Sequence, residues 1–249
     1  MAGTYTFGDD DVAVRRIGLA ADLFDASSRA LLARAAAGAG PPARAVDLGC
    51  GPGWTTRLIA EVCRPSHTVG LDASSRYLAA ARATTDDARV DYALHDVTRV
   101  PFPGGPADLI HARLVLAHLP GPLALARRWA TQLLPGGTLV LDEVEHIDAP
   151  AGALRAYEDL VTALVAAEGG TMAAGPLLAP LGGDCVAVRV PREEAARMFG
   201  LNLVAWGAGA VARGLATAAE VETLAGALAA VPPGPPVRWT LRQVIWRAP

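Results

Sequence analysis

The sequence predicts an α/β fold with a mostly parallel, doubly wound sheet, because short apolar runs alternate with helical stretches beyond residue 44. A strand-like segment that runs directly into a glycine-rich turn and a helix supports the same class. Alternation of this kind implies a parallel sheet covered by helices on both faces. The predicted strands are Ala45–Leu48, Val69–Leu71, Val90–Leu94, Leu109–Ala112 and Thr138–Val144, and the helices between them lie near residues 54–63, 74–83 and 115–133.

Further helical patterns flank this region on both sides. Spaced apolar positions over residues 12–37 predict one or two helices that end at Gly38–Pro42. Thr217 and Glu220 have the spacing of a capping box, which marks the start of a helix and not a site. The remaining predicted elements are an amphipathic helix through residues 154–165, a strand at Cys185–Val190, a helical region over about 192–230 and a final strand at Val237–Trp246.

The composition excludes several classes of protein. Of the 249 residues, 52% are hydrophobic and 19% are charged, which is typical of a globular protein with a sizeable core. The formal net charge of −3 argues against binding to nucleic acid or to an anionic membrane surface. All 22 basic residues are arginine, so chemistry that needs a lysine, such as a Schiff base or a Walker phosphate loop, is excluded. A small-molecule partner is therefore expected.

The cysteines and the N-terminal segment bear on localisation. Cys50, Cys63 and Cys185 are odd in number and widely spaced, which suggests neither a disulfide framework nor a zinc cluster. No apolar run reaches the roughly 18 residues that a membrane span needs, and Asp9–Asp11 stand where a secretory signal would be basic and then apolar. We expect a cytoplasmic protein without an export signal or membrane anchor.

The segment Val46–Gly53, with the sequence VDLGCGPG, is the strongest functional signal. It reads as a strand followed by a turn with three glycines in five residues and then a helix from Trp54. Glycine is needed where the backbone takes a positive φ or approaches a ligand closely. An ordinary tight turn would also explain these glycines, so the flanking residues have to decide.

Two further features favour a nucleoside ligand without a pyrophosphate. The dinucleotide fingerprint needs a small third residue three positions after Gly51, and that position is Trp54. Val69–Asp72 places an acid at the end of the next strand, where a carboxylate can accept hydrogen bonds from both hydroxyls of a ribose.

Five segments in this order resemble the class I S-adenosylmethionine (SAM)-dependent methyltransferases over about residues 44–145. The resemblance implies a Rossmann-like, seven-stranded sheet with an antiparallel last strand, for which Arg238–Trp246 is the candidate. It also implies SAM as the cofactor. The segments are VDLGCGPG at 46–53, VGLDAS at 69–74, His95-Asp96, DLIHAR at 108–113 and LPGGTLVL at 134–141.

The resemblance also implies cofactor contacts at particular positions. The methionine part of SAM would be surrounded by Asp47, Gly49, Gly51 and Gly53, with Cys50 as a small filler inside the loop. The adenosine part would be held by Asp72 with Ala73 at the ribose and by Asp96 with Val97 at the adenine. His111, Ala112 and Arg113 would line the amino-acid end. Tyr5, in a segment that resembles one closing over SAM in related enzymes, would be a further contact, with packing as its alternative.

Three histidines are candidate proton acceptors for a hydroxyl acceptor, since an imidazole titrates near neutral pH. His146 is our first candidate because it follows a strand end, His118 is second, and His111 is third because the resemblance assigns it to the cofactor. A half-buried helix position is the alternative for His118. Glu143 and Glu145 share the edge with His146, but acids that end a strand are more often solvated. We expect no metal site, because no ligand spacing such as HExxH is present.

The acceptor pocket is expected from the regions outside the core. They carry several large apolar residues, most of which should form core, and these favour an apolar acceptor. The domains we predict are an N-terminal helical cap (1–40), a SAM-binding core (41–145), acceptor-binding helices with the sixth strand (146–235) and the final strand (236–249). The apolar residues are Phe7, Leu23, Phe24, Tyr157, Met172, Met198, Phe199 and Trp206.

These expectations lead to a methyltransferase that acts on a small metabolite, with oxygen as the first acceptor atom and nitrogen or carbon behind it, in bacterial natural-product biosynthesis. A cyclisation or rearrangement assisted by SAM is the alternative enzyme, because fold does not decide function. A module that only senses SAM is a third option. The acceptor's identity and the oligomeric state stay open, with a homodimer as one option.

Overall fold

The computed structural model describes residues 11–37 and 40–249, and Tyr5 and Phe7 lie outside this part of the chain. Its strands are β1 (Arg44–Leu48), β2 (His67–Asp72), β3 (Val90–Leu94), β4 (Ala107–Arg113), β5 (Leu133–Asp148), β6 (Asp184–Val190) and β7 (Val237–Arg247). They form one sheet in the order β3-β2-β1-β4-β5-β7-β6. The first five strands are parallel, and β7 runs antiparallel to both β5 and β6. The predicted fold class is confirmed, including the antiparallel last strand.

Helices cover both faces of this sheet, as parallel crossovers require. The N-terminal pattern forms a single helix. Thr217 and Glu220 form the predicted capping box, in which the side chain of each residue accepts a hydrogen bond from the backbone amide of the other. The helices are α1 (Asp11–Ala36), α2 (Trp54–Val62), α3 (Ser75–Ala83), α4 (Pro122–Ala130), α5 (Ala153–Ala167), α6 (Arg192–Ala212) and α7 (Ala218–Ala229), with 3₁₀ turns at Leu116–His118 and Gly175–Leu181.

The helix predicted over residues 115–133 is interrupted. Leu119 has an extended backbone with φ −121° and ψ 146°, as expected for the residue before a proline, and Gly121 takes a positive φ of 64°. Pro122 then begins α4, where its missing amide proton costs nothing. The segment therefore divides into the short turn Leu116–His118 and α4.

Strand β5 is longer than predicted and continues past Val144 to Asp148. It pairs with β7 from Thr138 to Asp148, and the register shifts between Val144 and His146. A bulge of this kind changes the side-chain alternation that follows it. The residues after Val144 therefore lie on an extended strand and not in a loop above the sheet.

The core lies between the sheet and its helices. Trp129 of α4 is fully buried and its indole Nε1 donates a hydrogen bond to the carbonyl of Val97 at 2.7 Å. Between α5 and α6, the rings of Tyr157 and Phe199 stack with centroids 4.0 Å apart. Helix α1 packs against both α2 and α6 and so closes over one end of the sheet. Among the described residues, no helix is long and apolar enough to cross a membrane.

Gly53 is a position where the fold demands glycine. Its φ is +82°, and a Cβ placed on it would collide with the hydroxyl of Tyr92 and lie 3.0 Å from the Cβ of Ala81. We expect Gly53→Ala to lower the free energy of unfolding by roughly 2 to 5 kcal/mol, because backbone strain and overpacking add. Chemical denaturation with far-UV circular dichroism measures this change.

Gly105→Ala is the matched control for that variant. Gly105 has a similar φ of +84° but faces open space, so only the strain of about 1 to 2 kcal/mol should appear. Equal losses in the two variants would contradict the packing role of Gly53.

Candidate active site

A cavity of about 430 Å³ opens at the carboxyl ends of the central strands, beneath α1 and α6. Ligands of open α/β sheets bind at this edge. One part of the lining comes from the glycine loop and the ends of β2 and β4, and the other part comes from the flanking helices and β7. The lining includes Arg16, Phe24, Gly49, Cys50, Gly51, Trp54, Asp72, Ala73, Ser74, Val97, Arg113, Leu114, Val115, Ala117, His118, Val144, Met172, Met198, Asn202 and Trp239.

The glycine loop presents its backbone to the cavity. Gly49 and Gly51 have φ values of +63° and +52°. A Cβ on Gly51 would meet nothing closer than Ile17 at 3.8 Å, so the loop leaves room for a ligand at this point. Burial and the nearby Asp47 carboxyl raise the pKa of the Cys50 thiol well above its usual range. The Cys50 thiol is thus buried and held in its protonated form, and its role as a small filler of the loop stays a prediction.

Asp72 connects the glycine loop to the end of β2. Its Oδ2 accepts a hydrogen bond from the Gly51 amide at 2.8 Å, and its Oδ1 accepts one from the Ser74 amide at 2.8 Å. Burial raises the pKa of Asp72, and these amide bonds oppose that shift. The carboxyl group and the neighbouring Ala73 and Ser74 all line the cavity. A ribose placed here would meet a carboxylate in a partly desolvated setting.

Asp47 and His111 lie behind the loop and not in the cavity wall. The Asp47 Oδ2 accepts hydrogen bonds from the hydroxyls of Thr55 at 2.6 Å and Thr56 at 2.7 Å. His111 Nδ1 donates to Asp47 Oδ1 at 2.8 Å, and both side chains are essentially inaccessible to solvent. The two side chains are therefore absent from the cavity wall, and their predicted contacts with the cofactor stay predictions. They support the loop from within the sheet.

Of the two residues predicted to contact adenine, the structure places one in the cavity wall. Val97 lines the cavity, but Asp96 does not, and its Oδ1 accepts hydrogen bonds from the amide and hydroxyl of Thr98. Its Oδ2 lies 3.4 Å from Nε of Arg99. Gly53 is also outside the lining, since it packs on Tyr92. The contact between Asp96 and adenine stays a prediction.

The first catalytic candidate, His146, is misplaced by the sequence pattern. It lies beyond the bulge in β5, its side chain is 60% exposed, and its Nε2 pairs with Asp148 at 2.8 Å. It is not among the residues that line the cavity. Because β5 extends past Val144 as a paired strand, His146 faces solvent and not the acceptor pocket.

His118 is the candidate histidine that the fold brings to the cavity. It ends the 3₁₀ turn Leu116–His118 and is half-buried there, as its alternative supposed, while it also lines the cavity. Burial and the positive charge of Arg16 lower the pKa of His118 to about 3. The imidazole is therefore neutral at physiological pH, and in this form its unprotonated nitrogen can accept a proton or a hydrogen bond.

The acceptor end of the cavity has mainly apolar walls. Of the large apolar residues highlighted in the sequence, Phe24, Met172 and Met198 line it. Tyr157, Phe199 and Trp206 are instead buried in the core between α5 and α6, and Leu23 is partly buried against that core. Most of these residues thus build core, as expected, and three face the ligand space.

Several lining residues were missed by sequence reasoning. Trp239 was interpreted only as part of the final strand, and Asn202 carried no signal because a single amide in a helix has no distinctive spacing. Arg16 belonged to the resemblance in the N-terminal segment but was not assigned to the site. Arg113, which was predicted, lines the cavity and donates to the hydroxyl of Ser28 at 3.1 Å. Among the described residues, no cluster is arranged to hold a metal ion.

The donor set fits a SAM-type ligand. The carboxyl group of Asp72 at the end of β2 could hold a ribose, the cavity-lining backbone at Gly51 leaves room for an amino-acid tail, and apolar Val97 suits a base. The fold is an open, mostly parallel α/β sheet, and its cavity at the carboxyl ends of the strands has a lining that suits a nucleoside ligand.

Comparison with known proteins agrees with this class. Residues 46–141 match the family described as "Methyltransferase domain". Trans-aconitate 2-methyltransferase of Streptomyces avermitilis is 41% identical over 114 residues, which cover 44% of this chain and 42% of that protein. The match thus spans about two fifths of the length of the first curated relatives.

Two solved structures share the fold over most of the chain. A putative methyltransferase from Bacillus halodurans superposes with a TM-score of 0.59 at 18% identity, covering 90% of this chain and 99% of that one. The [4+2]-cyclase SpnF superposes with a TM-score of 0.53 at 20% identity, covering 89% and 80%. Residues 46–141 thus match a methyltransferase domain, which agrees with the predicted family and with SAM as its cofactor, and the two solved structures show the shared fold.

We expect Asp72→Ala to weaken binding of S-adenosylhomocysteine at least roughly tenfold. The substitution removes a carboxylate from the cavity, and a hydrogen bond to a charged group contributes roughly 1.5 to 3 kcal/mol. Isothermal titration calorimetry measures the affinity. Asp91→Ala is the matched control, because Asp91 is an exposed aspartate on β3 paired with His67. Equal affinity of Asp72→Ala and wild type would remove the ribose assignment.

The buried carboxyl group of Glu143 should make the free energy of unfolding depend on pH. It is fully buried, and burial, with a contribution from Asp142, raises its pKa from the ordinary 4.5 to about 8. In the strand register Arg242 on β7 lies opposite Glu143, but its guanidinium pairs with Glu145, and Arg113 on β4 lies opposite the neighbouring Asp142. The folded chain therefore holds this proton over a pH range in which the unfolded chain releases it.

Because the folded chain binds this proton more tightly than the unfolded chain, the free energy of unfolding falls as the pH rises. The stabilisation from the raised pKa is complete below about pH 4.5 and declines by about 1.4 kcal/mol per pH unit until about pH 8. Glu143→Gln cannot ionise, so its free energy of unfolding should fall less steeply between about pH 5 and pH 8. Urea titrations at several pH values measure the slope. Identical slopes in the variant and wild type would contradict the neutral, buried carboxyl group.

Proposed function

We propose that the protein transfers the methyl group of SAM to a small, rather apolar acceptor, with a hydroxyl or carboxyl oxygen as the first acceptor atom and nitrogen or carbon as the next. The observation that carries this proposal is that one cavity is lined both by the glycine loop and by apolar side chains of α1, α6 and β7. A cofactor at Asp72 and an acceptor beside Phe24 or Trp239 would share that space.

The chain's main contribution would be orientation. Bound SAM supplies a methyl group that is already activated on a sulfonium. Holding two reactants in line can contribute roughly 7 to 11 kcal/mol to such a step. Asp72 and the loop backbone would hold the cofactor, while Met172, Met198 and Trp239 would position the acceptor and exclude water.

His118 is the proposed partner of the acceptor hydroxyl. Its pKa of about 3 keeps the imidazole neutral and able to accept a hydrogen bond. A base of such low pKa takes up a proton only weakly, so its contribution to rate lies at the lower end of general-base catalysis. We assign it chiefly the orientation of the hydroxyl.

The polar residues of the acceptor end support one further feature of the acceptor. Arg16 lies in the cavity wall beside His118, and a guanidinium suits a carboxylate. Trans-aconitate, from which the curated relatives take their name, carries three carboxylates and no apolar body, so it shares only the acidic group with the acceptor proposed here. An apolar body with one acidic or hydroxyl group therefore fits both parts of the wall.

The regional roles follow from the same lining. We assign acceptor binding to the two predicted regions, residues 1–40 and 146–235, because Phe24 of α1 and Met198 and Asn202 of α6 line the cavity. Natural-product biosynthesis in a bacterial cytoplasm is the setting that we propose. The apolar walls and the buried free thiols of Cys50 and Cys63 support it.

The direct test incubates purified protein with methyl-labelled SAM and a panel of phenols, alcohols and apolar carboxylates. Label in a product, with release of S-adenosylhomocysteine, supports the proposal. Consumption of an acceptor that requires SAM but carries no label would instead support cyclisation or rearrangement. Binding of SAM without consumption of any compound would support a sensing module.

Once an acceptor is found, His118→Gln should lower kcat roughly 10- to 100-fold while the affinity for S-adenosylhomocysteine stays within twofold. His146→Gln is the matched control, because that histidine is exposed and outside the cavity, and it should keep full turnover. Full turnover in His118→Gln would leave orientation by the apolar walls as the sole device.

A further inference from the structure

Glu143 uses its buried carboxyl group to hold a turn that forms one wall of the cavity. It lies on β5, is inaccessible to solvent and does not line the cavity itself. Its Oε1 accepts hydrogen bonds from the backbone amides of Val115 at 2.8 Å and Leu116 at 2.7 Å. These amides belong to the first turn of a 3₁₀ helix, where no partner exists within the helix itself.

The turn that Glu143 holds has a strained beginning. Leu114 has a φ of +55°, a conformation that residues other than glycine rarely adopt. Its amide donates to the carbonyl of Asp142 at 3.0 Å, so two successive β5 residues fix three successive amides of this segment. Strained backbone persists where its surroundings over-determine it, and such segments cluster at functional sites.

The same turn contacts both halves of the cavity. On the cofactor side, Val115 packs against Gly49, where an added Cβ would lie 2.6 Å from Val115 Cγ2. On the acceptor side, the His118 amide donates to the Val115 carbonyl at 3.1 Å. This bond fixes the backbone of His118, whose side chain would face the acceptor. A displacement of Val115 would therefore move the glycine loop and His118 together.

We propose that Glu143 is a positioning residue, which sets the turn Leu114–His118 and through it the cofactor loop and the acceptor-facing His118. Its effect on turnover rests on the proposed function, whereas its effect on the turn and on cofactor affinity does not. Its Oε2 has no hydrogen-bond partner among the described residues, so a single oxygen acceptor carries the role.

The test compares Glu143→Leu, Glu143→Gln and the matched control Glu145→Leu. Glu145 lies on the same strand and pairs with Arg242 through two hydrogen bonds of 2.7 and 2.8 Å, but it contacts neither the turn nor the cavity. The readouts are hydrogen exchange of the Val115 and Leu116 amides, affinity for S-adenosylhomocysteine, and kcat and KM once an acceptor is known.

In Glu143→Leu we expect exchange at both amides to accelerate and cofactor affinity to fall, each at least roughly tenfold, with kcat reduced more than KM is raised. Glu143→Gln keeps an oxygen acceptor and should stay within about threefold of wild type. Glu145→Leu should lower stability while both amides and cofactor affinity keep their wild-type values. If Glu143→Leu does not fold, Glu143→Asp replaces it, because the shorter acid cannot reach both amides.

Three results would overturn the proposal. In the first, the turn loosens but cofactor affinity is unchanged. In the second, Glu143→Gln is as impaired as Glu143→Leu, and in the third, Glu145→Leu matches the loss in Glu143→Leu. Absence of methyl transfer in the wild-type protein would refute the proposed function alone, since exchange and cofactor affinity still decide the role of Glu143.

Discussion

The buried carboxyl group of Asp47 is the interaction on which the site depends. It lies at the end of β1, and its hydrogen bonds reach the first turn of α2 through Thr55 and Thr56 and reach β4 through His111. Gly53, the N-cap of α2, has no side chain to cap the helix. The negative charge of Asp47 close to this N-terminus also stabilises α2 through the helix dipole. An isolated buried carboxylate would be costly, and these bonds offset that cost. The glycine loop thus spans two ends that are both tied to Asp47.

A second carboxyl group performs a related task on the other side of the cavity. Glu143 holds backbone amides, as Asp47 holds hydroxyls, and neither side chain lines the ligand space. The cavity itself is left to backbone, apolar groups and a few polar side chains such as Asp72 and His118. Buried groups with satisfied hydrogen bonds give such walls a defined geometry, which catalysis by orientation requires.

The acceptor end is assembled from distant parts of the chain. Phe24 comes from α1, Met198 from α6 and Trp239 from the last strand, and they meet because β7 inserts between β5 and β6. The ring of Phe24 lies 5.1 Å from that of Trp239, so the first helix and the last strand share one apolar surface. The part of the molecule that would choose the acceptor is therefore also part of its core.

The sequence by itself determined the α/β class, most strands and helices of the core and the place of the glycine loop at the carboxyl edge of the sheet. These features rest on local signals, namely apolar periodicity, the glycines of the loop and an acid at a strand end such as Asp72. It also predicted the capping box at Thr217, because that motif is complete within four residues.

Only the tertiary structure decided which side chains face the ligand. His146 faces solvent because of a bulge in β5 and the pairing of β5 with β7. No local sequence pattern predicts the bulge or this pairing. His118 reaches the cavity because Leu119 precedes a proline and the predicted helix breaks there. Asn202 and Trp239 line the cavity through contacts between residues far apart in the chain. Side-chain direction at such positions is a property of long-range packing, which local sequence does not encode.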